Sequence, residues 1–414
     1  MVRELAQKTH DAYQAFLETG TSEKKNAILV SIAEGIEATR EDLKHANQND
    51  LNIGREKHLT TAFIDRLALN DARIDDMIRS CLELIDLPDP VGEIYESEVR
   101  PEGFEVSRMR VPIGVIGIIY EARPNVTIEA ATLCMKSGNG VILRGGSNAY
   151  HSNMALVKVL QKALKKNNID ENLISYLATT DRAAVNEMLQ QDDLIHLIIP
   201  RGGESLIRSV VEKSRIPVLK HYKGVCHVYV HEKAVPSMAT KIVVNAKVQR
   251  PATCNSAETL LVDETIAKSF LPEAIKKLQA EGVEIRGCEK TQNIVNGIKP
   301  ATEDDYYAEF LDLVIAVKVV KNIDAAIAHI NKYGSGHTDA IISNKKTATA
   351  HFIRNVDTAS VIVNASTRLA DGGVYGLGAE IGISTDRLHA RGPMGLRELC
   401  TYKWIVSGNG HLRE

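Results

Sequence analysis

The sequence predicts an α/β fold: two doubly wound α/β domains that carry a small β arm. Three features predict it. From Val111 to about Val363, short apolar runs alternate with stretches of helical periodicity, the pattern of parallel strands wrapped by helices on both faces. Ahead of them, the first 87 residues repeat apolar positions at helical spacing. Between the two regions, residues 91–110 lose that periodicity around a Pro101-Glu-Gly103 turn.

In chain order, Ala27, Ile28, Ile32 and Ile36, and later Ile74, Met77, Ile78, Cys81, Leu82 and Ile85, draw the apolar faces of amphipathic helices. Pro88 and Pro90 stop this region, and a polar hairpin leaves the body. Strands are expected at Ile113–Ile119, Val141–Leu143, Leu173–Leu177, Leu194–Ile199 and Val218 with Leu219. A second alternation starts near Cys226, with strands at Thr259–Val262, Leu313–Val317, Ala340–Ile342 and Val361–Val363. At roughly 150 residues per domain, the 414 residues accommodate this plan.

Composition excludes several functions. A formal charge of −3 with both signs interspersed argues against a nucleic-acid partner. The N-terminus is charged and amphipathic, unlike a secretory signal, and Val111–Ile119 is far shorter than the roughly 20 residues that span a bilayer. No membrane association is expected. Six cysteines, at 81, 134, 226, 254, 288 and 400, show neither CxxC pairing nor metal-ligand spacing. Reduced thiols of a soluble, cytoplasmic protein, with no metal site, are expected.

Cys254 lies where a helical stretch breaks at Pro251 and an apolar strand begins after Glu258. A nucleophilic thiolate needs a scaffold edge with cations and free amides nearby, and Lys247 and Arg250 precede it. The bland alternative is a small buried hydrophobe. Three strand ends carry loops suited to a dinucleotide: Tyr120-Glu-Ala-Arg-Pro-Asn125, Leu143-Arg-Gly-Gly-Ser147 and Ile199-Pro-Arg-Gly-Gly203. None is a GxGxxG fingerprint, so ordinary strand-to-helix turns explain each loop equally well.

These motifs, with Cys254-Asn-Ser-Ala-Glu-Thr-Leu-Leu261 and Ala326-Ile-Ala-His329-Ile-Asn-Lys-Tyr333-Gly-Ser-Gly-His337-Thr-Asp339-Ala-Ile341, resemble the aldehyde dehydrogenase superfamily and, within it, the γ-glutamyl phosphate reductase family. The likeness runs the length of the chain. It implies an aldehyde dehydrogenase-like fold: a cofactor domain of residues 1–92 and 111–224, a catalytic domain of residues 225–390, and an oligomerisation arm of residues 93–110 and 391–414. It implies NADPH-dependent reduction of L-glutamyl 5-phosphate to L-glutamate 5-semialdehyde through a Cys254 thioester, the second step of proline biosynthesis. Glutamate 5-kinase is the implied functional associate. The fused kinase half of some relatives is not expected, and a homo-oligomer is, dimer or tetramer left open.

By the same resemblance Asn125 and the Cys254 N–H meet the oxyanion. Arg144, Ser147, Arg201, Gly202, Gly203 and Glu309 are the implied cofactor contacts; serine at 147 leaves room for a 2′-phosphate that a carboxylate would repel. Arg123, Lys247, Arg250, His337 and Arg391 are candidates for substrate charge, against solvent-facing pairing as the default for arginine. Where hydrolytic relatives carry a general-base glutamate, this chain reads His221-Tyr-Lys-Gly224, and a thioester reductase gains by lacking that base. His221 is weighed as a proton carrier against a structural histidine. The rival functions are a CoA-acylating aldehyde dehydrogenase and a non-enzymatic scaffold of the same fold.

Overall fold

A computed structural model describes residues 1–220 and 222–413. The chain forms two compact units, Met1–Lys220 with Gly376–Gly382 and Met394–Glu414, and His221–Tyr375 with Ile383–Pro393.

The first unit opens with helices Val2–Thr19, Ser22–Ala38, Arg40–Glu56, Thr61–Leu67 and Asp71–Asp86. The predicted apolar stripes face inward: Ile28, Ile32, Ile36, Ile74, Met77 and Cys81 are fully buried. Each such large side chain contributes on the order of 1.5–3 kcal/mol of transfer free energy. Side-chain caps start these helices where Thr21 accepts from the Lys24 N–H and Asn70 from the Arg73 N–H.

The polar hairpin follows as strands β1 (Ile94–Val99) and β2 (Glu105–Pro112), paired antiparallel. Strands β3 (Val115–Tyr120), β4 (Gly140–Arg144), β5 (Ile174–Tyr176) and β6 (Leu197–Arg201) make a parallel sheet in the order β5-β4-β3-β6. Its register pairs Ile119 with Arg144 and Tyr120 with Arg201, so the carboxyl ends of three neighbouring strands stand side by side.

The second unit holds a seven-stranded parallel sheet of β7 (Cys226–Val230), β8 (Ala257–Asp263), β9 (Glu284–Gly287), β10 (Lys299–Pro300), β11 (Val314–Val320), β12 (Thr338–Ile342) and β13 (Ser360–Val363), in the order β10-β9-β11-β8-β7-β12-β13. Every residue of the central β8 is buried. Helices Pro236–Val248 and Glu264–Ala280 cover one face through Val243, Ala246, Phe270, Leu271 and Ile275. A two-stranded ribbon, β14 (Ile383–Ser384) with β15 (Gly392–Pro393), completes this unit. The last strand, β16 (Cys400–Ser407), returns to the first unit and pairs antiparallel with β2.

Two local expectations shift. Leu194 and Ile195, read as the start of a strand, donate their N–H groups back to Gln191 in a turn, and β6 begins at Leu197. Val218, read as a strand, makes only an isolated bridge to Ile198. The first run turns back on Gln191 a few residues earlier and the second touches a strand about twenty residues away, and apolar periodicity reports neither outcome.

Candidate active site

Cys254 sits on a turn between helix Pro236–Val248 and β8, half-buried. The turn is held from several sides. Ser256 N–H donates to Thr253 O at 3.0 Å, and Thr253 Oγ1 donates to Arg250 O at 2.8 Å. Behind it, the buried Cys226 thiol donates to the Cys254 carbonyl at 3.1 Å. Burial pushes the Cys226 thiol well above its ordinary range, and the charges of Asp339, Glu258 and Glu309 add to this, so it remains a donor. Gly224 lies so close that a Cβ there would overlap the Cys254 carbonyl oxygen.

Glu309, expected to reach a cofactor ribose, is half-buried in the loop after helix Glu303–Tyr307, and its Oε1 accepts the Gly224 N–H at 2.8 Å. Two residues on, the Leu311 N–H approaches Glu258 Oε1 at 3.3 Å. Glu258 in turn pairs with Lys247 at 2.7 Å, both side chains fully buried. Burial lifts the Glu258 carboxyl to about 7 against the pull of Lys247, and burial lowers Lys247 against the pull of Glu258. Lys247 was a candidate for substrate charge; its ammonium is instead engaged inside the protein, joining the two ends of the Cys254 turn.

The first unit carries the strand-end loops that were expected to receive a nucleotide. Arg144 ends β4 half-buried, and its Nε has no hydrogen-bond partner among the described residues. A buried guanidinium N–H left without an acceptor is unfavourable unless a ligand supplies one. Gly145 follows against the Asn153 amide and the Tyr120 ring, where any Cβ would overlap both. Those two side chains belong to a fixed buried network, Tyr120 Oη to Thr127 Oγ1 at 2.6 Å and Thr127 Oγ1 to Asn153 at 3.0 Å. Ser147 is exposed at the start of the 3-10 turn Ser147–Ala149.

Arg201 ends β6, and Gly203 caps helix Glu204–Lys213. The Gly203 N–H donates to Glu121 Oε1 at 3.0 Å, so a carboxylate of the neighbouring strand-end loop takes the donor that was expected to approach a pyrophosphate. Asn125 begins helix Asn125–Lys136, half-buried, with its amide donating to Glu129 Oε1 at 2.8 Å. Arg123, just before it, is exposed.

The other candidates divide. Arg250 is exposed at the foot of the Cys254 turn. Arg391 donates to Asp357 at 2.8 Å, which Arg387 also engages. His337 is fully buried, bonded to Thr338 Oγ1 and 3.9 Å from the Cys226 sulfur. His221 lies outside the described residues; next to it, Lys223 donates to Tyr307 O. Sequence reading missed Arg368, which bonds residues on both sides of Cys254. Its signal was present, because Ser366-Thr-Arg-Leu-Ala-Asp-Gly-Gly373 follows the apolar β13 with an arginine and a glycine pair, as the other strand-end loops do.

The chain and the fold that carry these residues are matched by known proteins. The aldehyde dehydrogenase family model matches residues 1–292. A γ-glutamyl phosphate reductase of Thermodesulfovibrio yellowstonii is 55% identical over 399 residues, covering 96% of either chain. The crystal structure of γ-glutamyl phosphate reductase from Thermotoga maritima superposes with a TM-score of 0.97 at 49% identity, over 100% of both chains. The chain belongs to the γ-glutamyl phosphate reductase family. The Saccharomyces cerevisiae γ-glutamyl phosphate reductase is a more distant relative, 27% identical with a TM-score of 0.56 over 100% of this chain and 99% of its own. Membership in the aldehyde dehydrogenase family implies a nicotinamide cofactor, and the unpartnered Arg144 beside the closely packed Gly145 fits such a group. In this γ-glutamyl phosphate reductase family member, the Cys254 turn leads into a strand of one parallel sheet, and the Arg144 and Arg201 loops leave the carboxyl ends of strands of the other.

Proposed function

We propose that this chain reduces L-glutamyl 5-phosphate to L-glutamate 5-semialdehyde with NADPH and releases phosphate, as the second step of proline biosynthesis, through a thioester on Cys254. The observation that carries the reading is a half-buried cysteine presented on a pinned turn in a chain about half identical, end to end, to relatives of that name.

In the proposed reaction the Cys254 sulfur attacks the acyl carbonyl, the C–O bond to phosphate breaks, and a thioester forms. Asn125 and the Cys254 N–H donate to the oxyanion, the Asn125 amide keeping its orientation from Glu129. The nicotinamide, when bound, supplies the hydride. Arg144 and Ser147 would hold the adenosine end, and an exposed hydroxyl at 147 leaves a 2′-phosphate unopposed, which favours NADPH. Arg201 and Gly202, with Gly203 once Glu121 gives way, would approach the pyrophosphate, and Glu309 the nicotinamide ribose. No carboxylate stands in Tyr222-Lys-Gly224 to activate water, so the thioester survives for reduction.

We assign the chain to the cytoplasm, with glutamate 5-kinase as functional associate and the β1-β2-β16 sheet as an oligomer contact. No described helix is long and apolar enough to cross a membrane.

The reverse reaction tests the function. Glutamate semialdehyde should reduce NADP only when phosphate is present, coenzyme A should not replace phosphate, and Cys254→Ala should lower the rate at least about a thousandfold. Equal rates without phosphate would contradict the assignment; activity with coenzyme A alone would favour the acylating alternative.

A further inference from the structure

We infer that Arg368, with Arg250 beside it, forms the receptor for the departing phosphate at Cys254, a subsite that rests on the proposed function and adds to it. Arg368 stands on the 3-10 turn Thr367–Leu369 that follows β13. Its Nε donates to Gln249 Oε1 at 2.8 Å, and an Nη donates to Asn255 Oδ1. Gln249 ends the helix before the nucleophile turn and Asn255 follows Cys254, so one guanidinium straddles the turn that carries the sulfur. Asn255 is 4% exposed and doubly fixed, its amide donating to Ala370 O at 3.0 Å and its Oδ1 also accepting from Thr253 Oγ1. The guanidinium therefore has a defined place.

Both direct partners are neutral amides. Neither Arg368 nor Arg250 makes an ion pair with any described residue, although Arg368 is half-buried. Burial lowers the proton affinity of Arg368, the charge of Arg250 lowers it further, and Asp371 and Cys254 act in the opposite direction. A pair of cations gathered beside a nucleophile, with Asp371 near but no acid in direct contact, is suited to receive an anion. Arginine presents five donors in a planar fork that matches phosphate oxygens, and the strap to Gln249 and Asn255 engages only part of that set.

The choice of phosphate over the substrate's α-carboxylate follows from position. The sulfur forms its bond to the carbonyl carbon, and the phosphate oxygen that takes the electron pair is bonded to that same carbon. The carboxylate is several bonds away. A guanidinium fixed to the residue next to Cys254 is therefore placed for the leaving group, whose negative charge grows as the C–O bond breaks. In reverse, it holds phosphate for attack on the thioester.

The test uses the full chain. In phosphate-dependent NADP reduction, Arg368→Gln should raise the KM for phosphate about tenfold or more and leave that for glutamate semialdehyde within about twofold. Arg250→Gln, at an exposed position, should raise the phosphate KM by a smaller factor, and Arg368→Lys should fall between the glutamine variant and the parent. Without cofactor, inorganic phosphate should slow alkylation of Cys254 by iodoacetamide, and Arg368→Gln should raise the half-protecting concentration by a similar factor. The inference is overturned if the phosphate KM and protection are unchanged in both glutamine variants. It is equally overturned if the semialdehyde KM rises instead, which would place the carboxylate there. A parent enzyme indifferent to phosphate would sink the proposed function itself, a separate outcome.

Discussion

At the scale of single residues, the site depends on a contact that has no local signature. Gly224 has no side chain because the Cys254 carbonyl occupies the space, while its N–H is taken by Glu309 at 2.8 Å and the same carbonyl receives the Cys226 thiol at 3.1 Å. The Cys254 backbone is thus pressed from one side and held from another. Gly224→Ala should displace the sulfur by a fraction of an ångström to an ångström and lower kcat/KM on the order of a hundredfold. Steady-state kinetics beside a thermal melt checks this; a variant that melts lower yet keeps full kcat/KM would show that the sulfur does not depend on the shim. Cys254 and Asn125 were legible as motif residues. Gly224, Cys226 and Arg368 were not singled out, since their importance is a matter of which chain segments meet at position 254.

Among the elements, the turn bearing Cys254 is fastened where helix Pro236–Val248 and β8 converge. The fully buried Lys247–Glu258 pair joins the two, and Glu258 also approaches the Leu311 N–H in the loop that bears Glu309. Removing one partner leaves an uncompensated charge in a packed interior, whereas replacing both by apolar residues of similar volume removes the need for pairing. Glu258→Leu alone should therefore cost about 3–5 kcal/mol, and Lys247→Met with Glu258→Leu should recover most of that loss. Urea unfolding of the two single variants and the double variant measures the coupling; simple additivity would show that the pair is not a unit. Lys247 illustrates the limit of sequence reading, because a lysine ahead of a nucleophile looks the same whether it faces ligand or an acid eleven positions later.

Across the whole molecule, the antiparallel sheet β1-β2-β16 ends in an edge strand whose Tyr402, Trp404 and Val406 are exposed, Trp404 to 55%. Arg108 of β2 lies 4.6 Å and 4.5 Å from the Tyr402 and Trp404 ring centres, which keeps the aromatics standing. An apolar edge of this kind calls for a covering partner, and a second copy is the one proposed above. Trp404→Glu should weaken self-association on the order of tenfold or more, read by sedimentation velocity over a concentration series; an unchanged distribution would remove the arm from the assembly. The sequence alone determined the α/β class, the helical N-terminal region and the polar hairpin, because periodicity and turn residues are written within a few positions of one another. Only tertiary structure decided that Lys247 turns inward, that Glu121 caps the Gly203 N–H, and that Arg368 flanks Cys254 from more than a hundred residues away. Burial and hydrogen-bond partners are set by the packing of distant strand ends, and that packing has no period along the chain.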